Sequence, residues 1–215
     1  MVVERMRPYT STIFAEMSAL ALRTGAINLG QGFPDTDGPP SLLADAAANI
    51  TGGVNQYPPG LGVPVLRTAV AEHQRRFYGL PVEPDDVLIT TGATEAIASA
   101  VLGLCEPGDE VVAFEPFYDS YAATIALAGA VLRPVPLRPP AFGFDPHELR
   151  AAFSPRTRLV LVNTPHNPTG AVFTAEQLTE IGALAAEFGA VVVTDEVYEH
   201  MLFDGRPHVP MAGLP

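Results

Sequence analysis

The chain has no lysine and no tryptophan among its 215 residues, and only one cysteine. Its twelve basic residues are all arginine and face 24 acidic ones, for a net charge of −12. That balance leaves no basic surface to neutralise a phosphate backbone, so nucleic-acid binding is excluded as a primary role. A lone Cys105 excludes an internal disulfide and a cysteine-based zinc cluster, and it fits a reducing cytoplasm. Apolar runs are short. AIASAVLGLC (Ala96 to Cys105) stops well before the length of a membrane span, and the start MVVERMRPYT has no apolar signal core, so neither a membrane nor a secreted location is expected. No G-x-G-x-x-G is present, which removes the dinucleotide fingerprint.

What is present is a globular composition, 47% hydrophobic and 17% charged, with 19 glycines and 22 prolines dispersed between periodic segments. Helical spacing is read over Ile13 to Arg23, Ser41 to Asn49 and Pro64 to Tyr78. From there an alternation sets in. DVLIT (86–90) reads as a strand and ATEAIASAVLGL as a helix. EVVAF (110–114) is a strand, YAATIALAG a helix and AVLRPVPL an extended segment. DPHELRAAF is a helix, RLVLV (158–162) a strand, TAEQLTEIGALAAEF a helix and AVVVT (190–194) a strand. Strands apolar on both faces and separated by helices predict an α/β fold with a mostly parallel sheet flanked by helices. In such sheets ligands bind beyond the carboxyl ends of the strands, where three unusual loops of this chain fall.

Those loops carry the candidate chemistry. TTGATEA (90–96) puts Gly92 between a strand and an apolar helix. Its free N–H groups suit a phosphate, though an ordinary strand–helix turn would read the same. TDEVYE (194–199) sets Asp195 at a strand end, where a carboxylate needs a metal, a cation or a protonated ring nitrogen, unless it merely caps a turn. No second carboxylate or histidine is spaced around Asp195 to complete a metal set, so a metal there is disfavoured. EPFYDSY (115–121) offers rings that could stack on a planar ligand or pack in the core. In NTPHNPTG (163–170), Asn167 stands between Pro165 and Pro168, which restrict the backbone on both sides of it. NQYPPG adds Tyr57 in a loop.

Taken together and in this order, VNTPHNPTG, ITTGATEA, VVVTDEVYE, EPFYDSY and INLGQGFPD resemble the class I aminotransferases, enzymes of the aspartate-aminotransferase fold that use pyridoxal 5'-phosphate (PLP). The resemblance runs from about Arg7 to Pro215 and is closest to the kynurenine, methionine and N-succinyldiaminopimelate aminotransferase group. It implies PLP-dependent fold type I, with residues 1–45 as an N-terminal arm and small-domain segment and 46–215 as an incomplete large domain. It also implies roles. Asn167 and Tyr198 would meet the phenolic oxygen of PLP, Asp195 the pyridine nitrogen, Tyr118 the ring face, and Ala93 and Thr94 the phosphate. Tyr57 would reach the phosphate of a neighbouring subunit in a homodimer. Gly32 and Phe14 would line the substrate pocket for an amino acid or a 2-oxo acid.

The resemblance also brings a conflict. In this family a lysine joins covalently to PLP and moves the reacting proton, and it lies downstream of D-x-x-Y. No lysine exists here, and no helix is read after the last predicted strand. The expectation is therefore an N-terminal piece carrying no catalytic residue, inactive alone, and poorly soluble or loosely packed. A carbon–sulfur β-lyase on the same fold, or a short non-catalytic paralogue, would share the same contacts.

Overall fold

Among the described residues, four α-helices precede any strand. In the computed structural model, which describes residues 2–30, 32, 34 and 36–215, they are α1 (Ile13–Thr24), α2 (Pro40–Thr51), α3 (Pro64–Tyr78) and α4 (Gly92–Leu104). Local chemistry sets their ends. The Thr12 hydroxyl accepts from the Ala15 N–H at 3.1 Å, closing the start of α1. Pro40 and Pro64 occupy the first helical positions, where the missing N–H costs nothing.

The remaining elements alternate as β1 (Glu110–Glu115), α5 (Ser120–Ala128), β2 (Val131–Pro136), α6 (Pro146–Ala152), β3 (Thr157–Asn163), α7 (Ala175–Phe188) and β4 (Val191–Asp195). All pairings are parallel, in the order β2-β1-β3-β4. The two-residue repeat of each strand divides the core. Val112, Phe114, Val160 and Val162 face one layer with Leu149 of α6 and Leu178, Ile181 and Leu184 of α7. Val111, Ala113, Leu159 and Leu161 face the other, with Ile97 and Val101 of α4 and Ile125 of α5. Helices on both faces explain why these strands read as continuous apolar runs.

One predicted strand is absent. DVLIT forms a 3-10 turn ending at Asp86 followed by extended but unladdered chain from Val87 to Thr90. A strand needs a neighbour to take its backbone groups. Here the Ile89 N–H bonds instead to the Leu61 carbonyl at 3.1 Å, and the Val87 carbonyl accepts from Arg67 Nε at 2.9 Å. Gly62 permits that approach: a Cβ there would fall 2.4 Å from Ile89 Cγ1, and its φ is +103°. No residue of the segment is buried and Leu88 is more than half exposed: apolar patterning alone does not supply a pairing strand or a cover.

At the amino end of β1, Glu110 is buried with 1% of its side chain exposed. It accepts from Arg133 at 2.5 Å, Ser154 Oγ at 2.6 Å and Arg156 at 2.6 Å. The Arg133 bond, working against burial and helped by Ser154 and Arg156, lowers its carboxyl to about 2. This cluster ties three sheet segments together at the edge opposite the functional loops.

Candidate functional site

Residues 163–170 turn on one side chain, Asn163. Its Oδ1 accepts from the Asn167 N–H at 2.7 Å, and its Nδ2 donates to the carbonyls of Asp195 at 2.9 Å and Pro165 at 3.2 Å. Asn163 is the in-register partner of Asp195 at the ends of β3 and β4. One buried amide thus fixes the backbone of both candidate ligand residues. Thr164 adds to the clamp: its N–H donates to Asp195 O at 3.1 Å and its hydroxyl accepts from Phe173 N–H at 3.0 Å. The loop then closes on itself, with Gly170 N–H on His166 O at 2.7 Å and His166 Nδ1 2.8 Å from Thr169 Oγ1. Burial pushes the His166 imidazole below its ordinary pKa, so it sits as a neutral structural group. The Thr164–Pro165 and Asn167–Pro168 peptides are cis.

The Asp195 carboxylate is held at both oxygens. Oδ2 accepts from the Tyr121 hydroxyl at 2.5 Å and Oδ1 from the Val197 N–H at 3.2 Å. Burial, then the adjoining carboxylate, pushes the Tyr121 phenol well above its usual range, so Tyr121 remains the donor. Tyr118, at 6.1 Å between ring centroids and 74° to Tyr121, stands edge-on to it. On the far side α4 begins, and Glu95 accepts from the Thr91 N–H, which holds its carboxyl below the usual range. Ala93 and Thr94 occupy the first turn, where helix N–H groups have no internal acceptor.

These elements enclose a cleft of about 190 Å³ lined by Ala93, Thr94, Ile97, Tyr118, Tyr121, Asn163, Asn167, Asp195, Val197 and Tyr198. Its size suits one ring system and not a dinucleotide. Of the seven expected cofactor residues, six share this cleft. Tyr57 does not; its side chain is 98% exposed on the loop before α3. Phe14 of α1 adjoins the rim, 6.2 Å between ring centroids from Tyr118. Gly32 is exposed and lines no part of the cleft, and Gln31, Phe33 and Asp35 of INLGQGFPD lie outside the described residues.

Sequence reading missed Tyr121 and Asn163. Tyr121 follows Tyr118 by three positions into α5, a spacing that returns to the same helical side. Asn163 ends its strand where Asp195 ends the neighbouring one, a signal that only the register reveals.

The donor set is specific. A helix start for an anion, a tethered carboxylate, an amide, two phenols and an aromatic wall suit a flat, anionic heterocycle with a basic ring nitrogen.

Comparison with known proteins follows the same line. The family model for aminotransferase class I and II matches residues 24–213. The probable N-succinyldiaminopimelate aminotransferase of Mycobacterium tuberculosis is 57% identical over 217 residues, covering 100% of this chain and 55% of that protein. Methionine aminotransferase of Escherichia coli is 45% identical, covering 95% of this chain and 53% of its own length. Among solved structures, the M. tuberculosis N-succinyldiaminopimelate aminotransferase superposes with a TM-score of 0.95 at 56% identity, covering 100% of this chain and 56% of that one. Aspartate aminotransferase from Thermus thermophilus with maleate gives 0.90 at 34% identity, covering 100% and 58%. The chain spans about half the length of the curated relatives it matches.

Proposed function

The chain belongs to the class I and II aminotransferases, and from that premise we propose that its cleft holds PLP for moving an amino group from an amino acid to a 2-oxo acid. The observation that carries this reading is the convergence of Ala93, Thr94, Tyr118, Asn167, Asp195 and Tyr198 on one cleft at the carboxyl ends of parallel strands. When bound, PLP supplies an electron-accepting ring that lets an amino acid lose its Cα proton.

The chain's own residues divide the work of holding that group. Asp195 keeps a proton on the ring nitrogen, and Tyr121 fixes the direction of its carboxylate. Asn167, with its backbone tied to Asn163, presents its amide to the phenolic oxygen together with Tyr198. Tyr118 covers a ring face, and the start of α4 takes the phosphate. The amine that would move the reacting proton is not supplied by these 215 residues, since none of them is lysine. We therefore propose that this sequence carries cofactor contacts without turnover of its own.

The substrate reading rests on the 57% relative and is N-succinyldiaminopimelate. The further proposals are a cytoplasmic homodimer in which Tyr57 reaches a second subunit, the division into 1–45 and 46–215, and a substrate-side place for Gly32 and Phe14. Because turnover needs a lysine that these residues lack, the test assays a longer polypeptide carrying this sequence together with such a lysine, for oxo-acid formation from N-succinyldiaminopimelate, methionine and kynurenine with 2-oxoglutarate. Preference for the first supports the reading. Pyruvate and ammonia released from cystathionine with no 2-oxo acid added would replace it with a β-lyase.

A further inference from the structure

Behind the cleft, the turn that carries Tyr198 meets α3. Glu199 and His200 in the turn face His73 on the helix, which is 127 positions from His200. The Nε2 atoms of His73 and His200 are 2.7 Å apart, and Glu199 Oε1 lies 3.5 Å from the first and 3.8 Å from the second. We propose that His73, Glu199 and His200 bind a divalent transition ion of the zinc class, which pins the Tyr198 turn to α3.

Geometry carries this first. Three atoms at those separations lie on a circle of radius about 2.0 Å, which is the length of a zinc–imidazole or zinc–carboxylate bond. One ion would come within bonding distance of all three donors, and the two nitrogens would part from 2.7 Å to about 3.3 Å to reach a tetrahedral angle. Chemistry restricts the ion: two imidazole nitrogens and one carboxylate favour zinc, cobalt, nickel or copper over magnesium or calcium. At 2.7 Å the two nitrogens share one N–H···N hydrogen bond in the metal-free protein, and a metal ion would take the place of that proton.

The surroundings suit a metal. Phe77 packs on both rings, with centroids 4.7 Å from His73 and 4.8 Å from His200, and so restricts their rotamers. Gln74 lies 3.4 Å from His73 Nδ1, where its amide oxygen would accept the N–H of a metal-bound imidazole once the amide is turned over. Burial, with Glu199 close by, pushes the Tyr78 phenol above its usual range, so it stands beside the carboxylate as a neutral hydroxyl. Glu196, close by, is already engaged by His208 Nε2 at 2.8 Å and by the Met211 N–H at 3.1 Å, leaving Glu199 to the histidine pair. The His200 side chain is 52% exposed, so a water can complete the coordination.

The test titrates metal-free protein, as its gene encodes it, with cobalt(II) and then zinc(II). The expected result is one equivalent of cobalt per chain with visible d–d absorption, displaced by zinc, and weakening in acid as protons compete with the metal for the ring nitrogens. His73→Ala, His200→Ala and Glu199→Gln each weaken binding at least about tenfold, whereas His147→Ala, at an exposed position on α6, leaves it unchanged. Zinc also raises the melting temperature of the unaltered protein but not of His200→Ala. Should His73→Ala fail to fold, the half-exposed His200 and the Glu199 variant still decide. Absence of stoichiometric cobalt binding, or His200→Ala binding within twofold of the unaltered protein, overturns the site and leaves a proton shared by two imidazoles.

Discussion

The helices before residue 80 and the sheet after residue 110 have similar apolar content but opposite fates. No residue of α1 or α2 is buried, and α3 buries only Ala71. Leu22, Ile27 and Leu29 are each more than 85% exposed. In contrast β1 is buried from Glu110 to Phe114, and β3 is buried at every position except Arg158. Both regions carry well-formed local signals, including caps, prolines at helix starts and glycines at helix ends. Local signals therefore make an element without giving it a core. The sheet has helices on both faces; among the described residues α1 is only partly covered, at Phe14, Met17 and Ala21, and α2 is exposed along its whole length.

Substitutions should expose that contrast. The largest effect is expected from Leu161→Ala, 1% exposed between α4 and β3's neighbours, which should cost about 3 kcal/mol in a denaturant titration. Leu22→Ala, made alongside it, should change stability by less than about 0.5 kcal/mol. Equal losses at both sites would erase the distinction. Next comes Glu110→Gln, which takes the charge out of four hydrogen bonds from three residues and should cost about 2 kcal/mol at neutral pH. Because the folded-state carboxyl lies near 2 against an ordinary 4.5, its contribution is complete above 4.5 and is lost as pH falls from there toward about 2. The unaltered protein should therefore lose stability across that window more steeply than Glu110→Gln. Hydrogen exchange sharpens the comparison further, with amides of α1 and α2 exchanging at least about a hundredfold faster than those of β3. The smallest effect is expected from Leu29→Ser, which should lower binding of an apolar dye while leaving the melting temperature within a degree or two.

Much of this was legible in sequence because period and punctuation coincide. The continuous apolar runs at 110–114, 158–162 and 190–194 are too short for helices and form strands within a residue or two of those bounds, although β4 is only half-buried. Asn167 and Asp195 stood out because prolines and a strand end marked their backbones. DVLIT misled for the converse reason: its pattern states what it could pair with, not whether a partner lies alongside. Asn163 and Tyr121 were hidden because their importance is a matter of register and of one 2.5 Å contact across 74 positions. His73 and His200 were hidden for the same reason, each unremarkable until α3 packs against the turn after β4.

The central claim is that Asp195, directed by Tyr121, meets a protonated ring nitrogen in the cleft. It is tested most directly by titrating this chain with PLP and following its absorbance and quenching for the unaltered sequence and Asp195→Asn. The account predicts reversible binding that borohydride cannot trap, weakened at least about tenfold by Asp195→Asn. Equal affinity in the two proteins, with binding resolved in both, would contradict it.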